Sequence, residues 1–143
     1  MRRPAVAIAL CLLAAVTAAE AADLSVKDEM KQVVEPASNA LFSVGGDVDP
    51  ANGPDAAKVP DARWKDAADA ALKLREVADK LNDAGRAKAG AEWAGYVKDF
   101  GDQSAAALKA AQAKDGAGLA TAANALSDAC SACHARYKPQ TGD

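Results

Sequence analysis

The sequence has little histidine and few aromatic residues, and each shortage excludes a kind of structure or site. The only histidine, His134, rules out any site that needs two imidazoles. Aromatic residues make up 4% of the chain, and the β-branched residues that favour strands are far outnumbered by alanine. The net charge is -3 with no basic patch, so a nucleic-acid partner is not expected. No convergent carboxylate pair or phosphate-binding glycine loop is evident, and we therefore predict no enzyme activity.

The N-terminal residues have the pattern of a secretory signal peptide. Arg2 and Arg3 precede a short apolar run, and Ala19-Glu20-Ala21 supplies a cleavage site of small residues. The apolar run is shorter than the roughly 20 residues that a membrane-spanning helix needs. We therefore predict a signal peptide over 1–21, a single exported domain over 22–143, and no stable membrane insertion after cleavage.

The cysteines leave no disulfide framework to propose. There are three in all, and Cys11 belongs to the predicted signal peptide. Only Cys130 and Cys133 remain in the mature chain. They are three positions apart and share one motif, so their spacing needs an explanation other than a structural disulfide.

The apolar pattern predicts four helices and no strands. The predicted helices run from Val26 to Val44, from just after Asp61 to Ala84, from Ala91 to Ala113, and from Gly118 to Tyr137. Gly45-Gly46 is expected to end the first helix, Gly85 to end the second, and the residues up to Pro60 to form a long connection. Pro36 should kink or break the first helix one turn earlier. One long crossover with short turns elsewhere is compatible with a four-helix bundle.

The motif Cys130-Ser131-Ala132-Cys133-His134 has the spacing of a c-type haem attachment site. Each thiol can add to a vinyl group of the porphyrin, and the adjacent imidazole can then bind the iron. A zinc site or a redox dithiol are the alternatives. Structural zinc usually takes four Cys or His ligands, and only three such residues remain. A thioredoxin-like dithiol would need a βαβ context that this chain lacks.

With this motif near the C-terminus of a helical chain, the sequence resembles the class II c-type cytochromes, which include cytochromes c′ and the proteins similar to cytochrome c-556. The resemblance implies an antiparallel four-helix bundle with one covalently attached haem c. It also implies that Cys130 and Cys133 form the thioethers and that His134 is the proximal iron ligand. Tyr137 and Lys138 match an aromatic and a basic position after the motif, which we assign to packing and to surface charge.

Met30 is the candidate distal iron ligand. In the resembled family the first helix contributes the distal residue, and Met30 lies a few residues inside the first predicted helix. It is also the only methionine of the predicted mature chain. The alternative is that Met30 simply fills the core, which is the commonest role of a methionine on a helix.

The resemblance implies a periplasmic carrier of single electrons with His/Met-ligated haem, which meets redox partner proteins in the periplasm. The alternative is a five-coordinate protein like cytochrome c′, which binds nitric oxide or other small gases. A third is a haem-bearing subunit of a larger respiratory enzyme. The family also pairs through its first two helices, so a homodimer is a further expectation, although a bend at Pro36 would alter the pairing face.

Overall fold

The computed structural model describes residues 24–53, 58–83, 85–88 and 90–138, and among these residues there is no strand. The first helix comprises α1 (Val26–Glu29), a π-helical turn (Met30–Val34) and α2 (Glu35–Val48). A 3₁₀ turn (Pro50–Asn52) follows it. The other three helices are α3 (Asp61–Leu81), α4 (Ala91–Ala113) and α5 (Gly116–Tyr137). The all-helical class predicted from the sequence is confirmed. The predicted signal peptide, 1–21, lies outside the described residues. Within them, no helix has both the length and the apolarity needed to cross a membrane.

The irregularity predicted before Pro36 is present, and the chain stays helical through it. Proline has no N–H, and its ring would meet the carbonyl of the residue four positions back in a regular α-helix. Here the N–H of Glu35 donates to the Met30 carbonyl, five residues back, so the helix widens by one residue just before the proline. The Val34 carbonyl, at the end of this turn, accepts a hydrogen bond of 2.8 Å from the Ser38 hydroxyl.

The predicted end of the first helix at Gly45-Gly46 is wrong, because the helix continues to Val48. Gly45 is buried against α5, where an added Cβ would lie 3.0 Å from the Cβ of Ala123. Its missing side chain therefore serves close packing between helices and not termination. An Asp49 side chain then caps the following turn by accepting from the N–H of Ala51.

Of the other three helices, α4 has the bounds that its apolar pattern predicts. The second predicted helix ends earlier than expected, at Leu81, whose carbonyl accepts from the indole N–H of Trp93 at 3.1 Å. The last helix begins two residues earlier than expected. Asp115 is its N-cap and accepts from the N–H of Gly118 at 3.0 Å.

The helices pack side by side in a closed ring. The first helix contacts α3 and α5, and α4 also contacts α3 and α5. This arrangement is compatible with a helical bundle. Alanine is the commonest residue of the buried core, which lets the backbones approach closely. The fully buried leucines at its centre are Leu41, Leu74, Leu119 and Leu126.

Candidate functional site

The C-x-x-C-H segment forms the last two turns of α5. Cys130 and Cys133 are free thiols and half-buried, whereas His134 is exposed. An α-helix turns by about 100° per residue, so Cys133 and His134 lie on either side of Cys130 when viewed along the helix axis. All three residues fall within about a third of the helix circumference. Cys130 packs against the hydrophobic core. The helix therefore presents two thiols and one imidazole to the same side.

Burial raises the pKa of both thiols. For Cys130 the largest cause is removal from water, to which a negative charge on Cys133 would add, while a backbone hydrogen bond acts in the opposite direction. For Cys133 the cause is removal from water. Since an ordinary cysteine already titrates above neutral pH, both side chains are neutral thiols at pH 7. They are neither a preformed thiolate pair nor a disulfide in this structure.

An aromatic cluster holds the end of α5 against the start of α4. The rings of Tyr137 and Trp93 meet edge to face at 5.0 Å between centroids, and Tyr96 meets Tyr137 at 6.0 Å in the same manner. Arg136 adds an exposed ion pair with Glu92 at 3.2 Å. Tyr137 therefore has the packing role expected for it, one turn beyond Cys133. This cluster fixes the direction in which the motif faces.

Met30 lies on the first helix, half-buried, and packs against the hydrophobic core. It is the first residue of the π-helical turn. The preceding residue, Glu29, is almost fully buried and forms an ion pair with Arg86, which is also largely buried. Arg86 donates a second hydrogen bond, to the carbonyl of Leu24, at 3.1 Å.

Three sets of contacts gather Met30 and the motif at one end of the ring of helices. The Glu29–Arg86 pair joins the start of the first helix to the connection between α3 and α4. Trp93 joins the start of α4 to the end of α3 through its indole N–H, and it joins the end of α5 through Tyr137. The two cysteines and His134 thus share one helix, and Met30 and Cys130 both pack against the hydrophobic core.

Side chains of the kinds that a covalent haem would use lie at this end. Two free thiols and an imidazole stand at the spacing of the attachment motif, beside apolar side chains. Arg86 Nε is a buried donor with no acceptor among the described residues. Within the described ranges, no three His, Cys, Asp or Glu side chains are grouped to hold a bare metal ion.

Sequence reasoning missed Glu29 and Arg86. Glu29 carries the one signal that could have found the pair, since it is a charged residue on the same helical stripe as Val26 and Val33. A carboxylate on an apolar stripe is buried only with a partner, so it predicts a cation nearby. Nothing local marks Arg86 as that cation, because the two residues are 57 positions apart.

Comparison of the chain with protein-family models, with curated proteins and with solved structures found no match. The chemistry available to this chain lies in the motif on α5, the aromatic cluster beside it, and Met30 with its buried neighbours.

Proposed function

We propose that this protein is a periplasmic class II c-type cytochrome that carries single electrons through one covalent haem c. The observation that carries the proposal is the C-x-x-C-H segment at the end of α5, with both thiols free and the imidazole on the same side. Such spacing is specific to haem attachment among the common cysteine motifs. When bound, the haem supplies a centre that gains and loses one electron.

Each residue of the motif has a defined task in this proposal. Cys130 and Cys133 form the two thioether bonds and so fix the orientation of the cofactor relative to α5. His134 binds the iron on the proximal side through its imidazole. Tyr137 holds the same turn of helix against Trp93 and keeps the His134 backbone in place. The core beside Cys130 excludes water from one face of the site.

Met30 is the proposed distal ligand. A thioether opposite an imidazole favours reduced iron and raises the reduction potential. Its placement at the same end of the ring as the motif supports this assignment, as does its partial burial. His134 and Met30 would together hold the iron of a haem that supplies one-electron chemistry, which suits a carrier and requires no catalytic side chain.

An antiparallel order of the four helices is part of the proposal. The ring of contacts and one short connection support it, since only Lys114 and Asp115 separate α4 from α5. Packed neighbours joined by so short a turn run in opposite directions. Alternating directions would also bring the start of the first helix and the end of α5 to the same end, where Met30 and His134 lie.

Export and partners follow from the same chemistry. Covalent haem attachment in bacteria takes place outside the cytoplasm, which agrees with the predicted signal peptide over 1–21. The partners would be redox proteins of the periplasm. A homodimer through the first helix and α3 is a further proposal. Between those helices lies a groove of about 490 Å³, and its lining carries charges of both signs, from Arg63, Lys73, Asp66 and Asp69.

The test is to express the full chain in a bacterium that matures c-type cytochromes and to record spectra of the periplasmic product. Haem that survives denaturation, and that is lost in the Cys130→Ala/Cys133→Ala variant, is expected. Sharp, separated α and β bands on reduction would show six-coordinate iron. Met30→Ala should convert this spectrum to a high-spin form, whereas Val33→Ala, a matched change one turn along, should not.

Three results would contradict the proposal or a part of it. Absence of covalent haem would remove the cytochrome assignment altogether. A high-spin spectrum in the unaltered protein would remove the distal role of Met30, and binding of nitric oxide would then become the favoured function. An unchanged low-spin spectrum in Met30→Ala would equally exclude Met30 as the ligand.

A further inference from the structure

The buried ion pair between Glu29 and Arg86 is unlike the other ion pairs of the described chain. The side chains of Glu29 and Arg86 are 5% and 13% exposed, whereas the exposed pair of Arg136 and Glu92 has 63% and 65%. Arg86 uses a second nitrogen to bind the carbonyl of Leu24. A single guanidinium therefore holds two points of the chain that flank the first turn of the first helix.

That first turn is the N-terminal end of the first helix. The α1 segment is four residues long, from Val26 to Glu29, and continues directly into the π-helical turn. The end of a helix frays more readily than its interior, because its first N–H groups have no acceptor within the helix. Ser25 caps it by accepting from the N–H of Asp28, but this contact is local and exposed. Val26 and Met30 pack against the hydrophobic core, and Arg86 adds a hydrogen-bonded link from the connection between α3 and α4.

Stability alone explains this pair poorly. Taking both charges out of water offsets most of their attraction, so a buried ion pair is often no more stabilising than apolar residues of the same size. What such a pair does supply is a directional link between two segments. Here it links the residue before Met30 to the connection that leads into Trp93 and hence to the end of α5.

We propose that Arg86 is a positioning residue: through Glu29 and Leu24 it holds the Met30 side chain on the distal side of the haem. This inference rests on the proposed function, since it concerns the same iron. Arg86 does not touch the iron in this proposal. It acts by fixing the start of the first helix, which carries the Met30 thioether.

The experiment compares the matured holoprotein with its Arg86→Gln variant and with Arg136→Gln as the matched control. Both substitutions remove one arginine of an Arg–Glu pair at the same end of the ring. The readouts are the ratio of high-spin to low-spin ferric haem, the reduction potential, and hydrogen exchange of the backbone over 25–34. Arg86→Gln should raise the spin ratio by at least about tenfold, lower the potential and speed exchange. Arg136→Gln should change none of them.

Removing one partner leaves Glu29 buried without a cation, and this could prevent folding. The Glu29→Gln/Arg86→Gln double variant leaves no uncompensated charge and serves in that case. The glutamine at position 86 is shorter than arginine and cannot reach the Leu24 carbonyl while it pairs with the glutamine at position 29. The double variant should therefore show the same loss of methionine ligation.

The outcomes separate this inference from the proposed function. If Arg86→Gln keeps low-spin haem, the positioning role is overturned and the cytochrome assignment stays intact. If Arg86→Gln does not fold, low-spin haem in the double variant has the same meaning. Equal loss in Arg136→Gln also overturns it, because the effect would then be general loosening. If the unaltered protein lacks haem, the inference falls together with the proposed function. If Met30→Ala leaves the low-spin spectrum unchanged, the inference falls together with the role of Met30.

Discussion

Gly116 lies against the backbone of Val48, so close that an added Cβ would stand 2.7 Å from the Val48 carbonyl oxygen. This contact joins the first turn of α5 to the last residue of α2. A Cβ at such a distance from a backbone atom forces the helices apart, because a carbonyl cannot rotate away as a side chain can.

Gly116→Ala should therefore destabilise the protein by about 1–3 kcal/mol, although alanine favours helix over glycine. Gly95→Ala is the matched control. Gly95 lies within α4, and nothing is within 4 Å of the Cβ it would gain. That variant should be about 0.5–1 kcal/mol more stable than the parent. Urea unfolding of both variants measures the difference, and equal effects at the two sites would contradict the close contact.

Leu74→Ala should cost about 2–5 kcal/mol of unfolding free energy, because Leu74 is fully buried where α3 faces the ring's interior. Leu72, two residues earlier on the same helix, is 41% exposed and supplies the control. Leu72→Ala should stay within about 0.5 kcal/mol of the parent. Thermal or urea denaturation gives both values, and a similar cost at both positions would mean that α3 is rotated relative to this structure.

The haem-free protein should lose stability in alkaline solution because of its two buried thiols. Burial raises the pKa of Cys130 and of Cys133 in the folded state, so the unfolded chain loses these protons first as the pH rises. The contribution of the two thiols to the free energy of unfolding is fully present below the ordinary cysteine pKa of 9.0. It is lost as the pH rises from there through the higher pKa of the folded state.

Urea unfolding of the haem-free protein on either side of that pH measures the effect. The Cys130→Ser/Cys133→Ser variant is the control, because it lacks the two thiols and is otherwise the same protein. Alkylation by iodoacetamide should likewise be slower in the folded protein than in the denatured chain at the same pH. A folded protein that reacts as fast as the denatured one would show that the thiols are not protected.

Haem attachment should raise the stability of the fold substantially. Alanine contributes little apolar area at each core position, and a porphyrin supplies far more. At about 25 cal/mol per Å² of apolar area removed from water, the gain amounts to several kcal/mol. Thermal unfolding of the matured protein and of the Cys130→Ala/Cys133→Ala variant tests this. Equal midpoints would mean that the cofactor adds no buried surface.

The local sequence pattern predicted a helix best where no contact with a distant residue outweighs that pattern. The apolar repeat alone placed α4 at its observed bounds, and Pro36 alone indicated the irregular turn before it. Gly45 misled the same reasoning. A glycine pair usually ends a helix, but here contact with Ala123 of another helix makes the absence of a side chain useful inside one.

The candidate site divides in the same way. Because the attachment motif needs only spacing along one helix, Cys130, Cys133 and His134 can be identified without any structure, and Met30 follows as the one methionine of the predicted mature chain. The folded chain was needed to show that Met30 lies at the same end of the ring as the motif, and that Arg86 pairs with its neighbour Glu29. Contacts between residues far apart in the chain depend on how whole helices pack, and no local pattern encodes that packing.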